Sequence, residues 1–245
     1  RRNSRVCGDR PGAGTCTLTA TQAADAASDP ATASRAITVH PVTLAVTGIT
    51  AADRAYDGTT VAALALAGAT LQGVLAGDEA AVGLDPSAAT GAFADANAGT
   101  AKTVQVSGLA LSGSKAGDYA LTQPTTTATI TKADQVITFT TTEPAAVKDG
   151  APYTPAAVAS SGLPVDITVS ALSAGICTKA DLVVSFPGAG TCRLEAKQGG
   201  DANWNAAPMR PQSFSVASTG SGLQTITFDP IAGATYGDGP VALSA

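Results

Sequence analysis

The sequence predicts an all-β fold, with antiparallel β-sandwich domains strung in tandem as an elongated array. Three observations carry that expectation. Short runs of β-branched residues recur at intervals of about 8 to 12 residues, separated by clusters of Gly, Pro, Asp and Ser. Helical period is hard to find: the Ala-rich ATQAADAA from Ala20 invites a helix, yet its later counterpart is broken by Gly199 and Gly200. The chain also repeats itself, QVITF at 135–139 returning as QTITF at 224–228, 89 residues on.

A second self-match fixes where the repeats lie. GAGTC occurs at 12–16 and at 188–192, and continues as CTLTATQAADA from Cys16 and CRLEAKQGGDA from Cys192. Both copies run to a strand-like close, RAITV ending at Val39 and QSFSV ending at Val216. Residues 1–39 therefore read as the tail of one repeat, 135–223 as a complete repeat and 224–245 as the head of the next. An Asp-Gly pair ten residues after each QxITF, Asp149-Gly150 and Asp238-Gly239, supports the same alignment. Residues 40–134 are a second domain type, with the landmarks AYDGTT, LQGVLAGDEAAVGL and GSKAGDYALTQP.

Each element follows from the pattern. In the middle domain, alternation places strands at 44–49, 60–66, 103–109 and 125–131, with shorter ones between. In the complete repeat it places them at 136–139, 156–159, 165–169, 182–186, 191–197 and 212–216, a spacing that suits an antiparallel sandwich.

Composition bounds the function. Only 13% of residues are charged and 4% aromatic, so the 44% that are hydrophobic are mostly Ala and aliphatic side chains, and the cores are thin. A net charge of -5 and 14 scattered Lys and Arg exclude the basic footprint that nucleic acid demands. No apolar run is long enough to insert in a membrane. The opening RRNSRVCGD lacks an apolar signal segment and the closing VALSA lacks a sorting tail, so the chain reads as an excerpt of an array.

These motifs together resemble the tandem extracellular repeats of large bacterial surface adhesins of the haemagglutinin type. The complete copy, with QVITF, SSGLPVDITVS, a Cys before GAGTC, then GDANWNAAP, resembles their immunoglobulin-like repeat. The middle segment is similar to the YDG-type domain, through Tyr56, Asp57 and Gly58. The resemblance implies a stalk or spacer at the bacterial surface, with neighbouring repeats as its partners and host or glycan contact made by other parts of the parent protein. It transfers no catalytic residues.

The cysteines are the strongest local chemistry. Four thiols allow three pairings, but each GAGTC Cys has one near neighbour in its own repeat, which favours Cys7 with Cys16 and Cys177 with Cys192. The first pair spans nine positions against fifteen in the second, so a strand is shortened there. Zinc is the rival, with a single His and no CxxC knuckle to serve it. Disulfides place the chain in an oxidising, extracellular compartment.

In GDANWNAAP, Asp201, Asn203 and Asn205 alternate as ligands do in a calcium loop. Such a loop needs Gly at its sixth position and Glu at its twelfth, where Ala206 and Gln212 stand here, and Asn203 and Asn205 fall opposite Ala27 and Asp29 in the earlier copy. A hairpin connection is the better reading. Trp204 is read as closing the end of a thin core. Asp57, Asp78, Glu79 and Asp95 sit on turns; their gathering around calcium, in a calcium-rigidified linker, is a lesser alternative to Gly-Asp turn chemistry. Tyr56 and Tyr119 read as packing residues. His40, the single His, precedes Pro41 at a domain seam with no nucleophile motif, so no enzyme activity and no cofactor are expected. A glycan- or host-protein-binding module is the main rival, for which the aromatic content is poor material. A tandem array predicts a radius of gyration well above about 18 Å, the value for one compact globule of this length; small-angle scattering measures it, and a value near 18 Å contradicts the array.

Overall fold

The computed structural model describes residues 2–4, 12–24 and 29–219. The fold is all-β, strands being joined by turns and by two single-turn 3-10 helices among the described residues. No helix there is long and apolar enough to cross a membrane. The chain divides into two compact units: unit 1 comprises 1–133 with 201–204, and unit 2 comprises 134–200 with 205–245.

Unit 1 begins with the hairpin Gly14–Gln22 and Ala31–Val39, joined at one edge by Arg2–Ser4. The chain then enters Val42–Thr47, whose alternation is that of a half-buried strand: Leu44 and Val46 point in, Thr43, Ala45 and Thr47 out. It lies between Thr70–Gln72 and Tyr119–Leu121, pairing with the second in parallel. A five-stranded sheet runs in the order Arg54–Ala55, Thr125–Thr131, Gly99–Ser107, Thr90–Phe93, Val61–Ala62. Val104 and Val106 on its middle strand are fully buried and serve two different core clusters. Around Val104 pack Ala62, Phe93, Ala128 and Ile130; around Val106 pack Val46, Ile49 and Leu109. A third cluster joins Leu44, Val82 and Tyr119. Three small clusters are what this few large apolar residues can build. On the solvent faces, Thr47 meets Thr70 (3.0 Å) and Thr90 meets Ser107 (2.9 Å), hydroxyl pairs across neighbouring strands that account for the Thr-rich, weakly charged exterior.

Unit 2 holds the four-stranded sheet Ala146–Val147, Arg210–Ala217, Gly190–Lys197, Asp166–Val169, in that order. Across from it lie two two-stranded pairs, Ile137–Phe139 with Ala157–Ala159 and the hairpin Thr178–Ala180 with Val183–Ser185. One core fills the space between: Ile137, Ile167, Val184, Phe186, Leu194, Phe214 and Val216, with Cys177 and Cys192 among them. Phe214 is met edge-on by Phe186 at 5.9 Å and by Tyr153 at 5.7 Å, the favoured aromatic geometry. Cys177 and Cys192 are joined by a disulfide with a Cα separation of 5.7 Å, closing a loop of 15 residues. Cys16 is also disulfide-bonded; Cys7 lies outside the described residues.

The two GAGTC copies fold alike. Gly14 pairs with Val39 and Cys16 with Ile37; in the later copy Gly190 pairs with Val216 and Cys192 with Phe214. Gly14 and Gly190 adopt φ of 136° and 137°, in a region closed to side chains, which is why the motif carries Gly there. The other Gly of the later copy has a steric reason. A Cβ on Gly188 would stand 2.2 Å from the Gly175 carbonyl oxygen.

Three sequence expectations need correction. The run 60–66 is not one strand but two, Val61–Ala62 and Leu64–Ala65, in different sheets, because the Ala63 carbonyl between them accepts from Ala52 N–H. Two short strands, Ala146–Val147 and Thr178–Ala180, were not anticipated; each has only two or three residues and no readable alternation.

Gly188→Ala is expected to cost unit 2 roughly 1–3 kcal/mol by overpacking. Gly199→Ala, where a Cβ meets nothing within 4 Å, should stay within about 0.5 kcal/mol. Urea unfolding of the two variants measures the difference, and equal costs would contradict the packing at Gly188.

Candidate functional site

The residues singled out for chemistry fall into three places. The first is the turn carrying Tyr56, Asp57 and Gly58. Gly58 takes φ 79°, and Asp57 folds its carboxylate back over the turn, where Oδ1 accepts from the Thr59 N–H and the Thr59 hydroxyl, both at 2.8 Å. Arg54 completes the clasp: its guanidinium pairs with Asp57, donates to the Thr59 carbonyl and lies 5.3 Å from the Phe93 ring centroid. The Thr59 N–H, then Arg54 and the Thr59 hydroxyl, hold the Asp57 carboxyl at a pKa of about 2.

The second place is a cleft of about 530 Å³. Its floor is apolar, with Val42 and Leu75, and its polar lining is Asp78, Lys115, Asp118, Tyr119 and His40. Asp78 sits in a tight turn, after Gly77 at φ 91°, and only 5% of it is exposed. Both its oxygens are engaged: Oδ1 by Lys115 Nζ at 2.6 Å and Oδ2 by the Tyr119 hydroxyl at 2.8 Å. That hydroxyl accepts from Leu75 N–H in turn, at 3.3 Å. Burial, and its hydrogen bond to Asp78, push the Tyr119 phenol above its ordinary pKa, so it remains a protonated donor at neutral pH. Asp118, in the single 3-10 turn Ala116–Asp118, accepts from Ala13 N–H at 2.8 Å. The chemistry of this cleft is a compensated charge cluster: the buried carboxylate is matched by one cation and one phenol. Lys115 was not anticipated from sequence, since nothing local marks a Lys as the partner of a carboxylate 37 positions away.

The third place is the loop 198–208. Asp201 Oδ1 accepts from the N–H groups of Asn203 and Trp204, both at 2.8 Å, the side-chain-capped turn that Asp favours. Asn203 accepts from Ala98 N–H at 2.9 Å and donates to Asn97. Asn205 donates to Asp134 at 2.8 Å. Asp201, Asn203 and Asn205 thus serve separate partners. Trp204 is half-buried and grouped with unit 1, its ring edge-on to Tyr56 at 5.7 Å. Trp204 was expected to close the end of a thin core; its ring instead meets Tyr56, which packs on the Phe93 cluster.

Asp57, Asp78, Glu79 and Asp95 are not brought together. Glu79 accepts from Gly77 N–H at 2.7 Å; Asp95 accepts from Asn97 N–H at 2.8 Å and from Lys102 at 2.6 Å. Among the described residues no group of three or more His, Cys, Asp or Glu is placed to hold a metal ion. Sequence reasoning also missed two buried polar residues of unit 2. Gln135, 2% exposed, donates to Gln198 Oε1 and the Asn205 carbonyl and accepts from Ser161. Ser173, 1% exposed, donates to the Thr191 carbonyl and accepts from Arg193 N–H. The return of Gln at the head of QTITF was the available signal for Gln135.

Residues 40–128 match the YDG domain family model. No curated protein matches the chain. Among solved structures, domains 4–9 of the surface layer protein SbsC are similar at 14% identity with a TM-score of 0.19, over 84% of this chain and 35% of that one. The chain thus spans about a third of that structure's length, and a likeness at so low a score bears on neither fold nor role.

The Asp57 clasp gives a pH signature. A carboxyl depressed to about 2 in the folded state contributes stability that is present above the ordinary value near 4 and is lost as pH falls through about 2. Asp57→Asn should therefore flatten the fall in melting temperature between about pH 4 and pH 2. Scanning calorimetry of both proteins across that window tests it, and parallel curves would contradict the clasp.

Proposed function

We propose that this chain is a structural spacer of a bacterial surface repeat protein, secreted or displayed outside the cell, with no catalytic role and no cofactor. The observation that carries the reading is the recurrence of one hairpin register, Gly14↔Val39 and Gly190↔Val216, on either side of the segment that matches the YDG domain. Modules repeated in series suit reach better than reaction. The complete repeat, residues 135–223, is read as immunoglobulin-like. Two features support this: its early strand Ala146–Val147 pairs in parallel with its last, and a disulfide pins a hairpin of one sheet to the middle of the other. The buried disulfide supports an oxidising location. The residues with chemistry support the spacer reading too, because Asp57, Asp78, Asp95 and Asp201 each fasten a local turn or a neighbouring strand.

A second reading, binding of a small ligand such as a glycan, is favoured by the 530 Å³ cleft. Melting curves separate the readings. A spacer fastened by its disulfide should lose about 3 kcal/mol on reduction, a drop of roughly 10–20 °C for the unit concerned. It should be indifferent to chelator and to glycans. A fall in melting temperature with EDTA would install the calcium-rigidified linker instead, and a rise with a glycan would install the binding module.

A further inference from the structure

We propose that the hairpin of Gly14–Gln22 with Ala31–Val39 is a docking face for residues 224–245 of a second copy of this chain, so that copies join head to tail. The inference rests on reading residues 135–223 as a complete repeat, and it goes beyond the spacer role.

The complete repeat shows what the first hairpin lacks. Gly190–Lys197 and Arg210–Ala217 keep the same register, which sets Cys16, Leu18, Ile37 and Val39 in the places of Cys192, Leu194, Phe214 and Val216. The later four are core residues, none more than 7% exposed. Of the earlier four, Cys16, Leu18 and Val39 are only half-buried, and Ile37 is 46% exposed. The hairpin thus carries an inner face without its cover. Its edge is open as well. Among the described residues Ala31–Val39 pairs only with Gly14–Gln22, whereas Arg210–Ala217 takes Ala146–Val147 on its other side. Apolar surface beside an unpaired strand edge is a site for another strand.

The sequence names the strand that fits. In the complete repeat the cover opens with QVITF: Gln135 donates to Gln198 Oε1, Ile137 lies in the core with Phe139 packed against it, and Ala146–Val147 then closes the edge. Residues 224–245 lie outside the described residues, and their sequence returns to this segment at an offset of 89. Gln224, Ile226 and Phe228 stand for Gln135, Ile137 and Phe139, and Thr235 and Tyr236 for Ala146 and Val147. Gln22 holds the place of Gln198 in the first hairpin, so the partner of the leading Gln is present too. A register follows: Gln224 on Gln22, Ile226 and Phe228 against the apolar face, Thr235 and Tyr236 beside Val39 and His40. Residues 218–223 tether the segment to the closing strand of unit 2 with a reach of about 22 Å at most, and the face belongs to unit 1, so a second copy is the occupant. Unlike surfaces meeting in this way close into a ring or run on as a filament.

The test is analytical ultracentrifugation of the full chain with its disulfides intact. The weight-average mass should rise about twofold or more between about 1 and 100 μM, the range of a small transient contact. Ile37→Lys spoils the face and Ile226→Lys spoils the segment, so each variant alone should stay monomeric. An equimolar mixture should form a dimer and stop there, because each variant supplies one intact half. Ile226→Lys lies outside the described strands and keeps the test open should Ile37→Lys not fold. A chain monomeric at about 100 μM, or association that survives either substitution, overturns the proposal. A monomer whose melting temperature falls in both variants places the segment on its own hairpin, and overturns it equally. Each of these results leaves the spacer reading standing, because reduction, chelator and glycan melting curves judge that separately.

Discussion

The strand Gly190–Lys197 is the constraint on which unit 2 depends. Three of its residues, Cys192, Leu194 and Ala196, are completely buried, and it hydrogen-bonds on both sides, to Arg210–Ala217 and to Asp166–Val169. Its start is fixed by Gly190, whose φ of 137° no side chain tolerates easily, and its position in the sheet by Ser173, which bridges the backbone on both sides of Cys192. From the same residue the disulfide reaches across to Cys177. Sheet register, core and covalent link therefore share one strand. A slip of one residue would turn Leu194 outward and carry Cys192 away from its partner.

Unit 1 has no such single spine. Its apolar side chains form three small clusters, and polar fasteners make up what the clusters lack. The solvent-facing fasteners are individually weak: an ion pair such as Lys102 with Asp95, whose carboxylate is open to water, contributes little. The Asp78 cluster differs because its carboxylate is buried. Removing either partner would leave a polar group without compensation in a place water does not reach, which costs far more than an exposed pair contributes. The buried carboxylate and the turns around it thus fix one another.

How much of this was legible depended on the range of the signal. The strands along 191–197, 212–216 and 125–131 were legible because alternation is local and repeats every second residue. The glycines of GAGTC were visible as a motif, though their reason, a φ near 136° in both copies, appears only in the backbone. Ala146–Val147 was invisible: two residues between a Pro and an Asp-Gly turn carry no period, and only a partner 70 positions away makes them a strand. Lys115 was missed for the same reason, its partner Asp78 lying 37 positions away, whereas Gln135 was marked by its recurrence in QTITF but not by any sign of what it bonds. Trp204 is the instructive case, since its size and loop position announced a covering role, while the surface it covers, Tyr56, could not be named from its own repeat.

What was hardest to read in the sequence is the parallel pairing, which joins three pairs of named strands among the described residues. Parallel pairing cannot arise from a hairpin, because it needs segments far apart in the chain to meet running the same way. It joins Val42–Thr47 to Tyr119–Leu121 and Arg54–Ala55 to Thr125–Thr131 in unit 1, and Ala146–Val147 to Arg210–Ala217 in unit 2, so that segments about 70 to 80 positions apart share a sheet. A few backbone bonds between distant segments thus hold together what a chain with little to bury cannot fix by apolar packing alone.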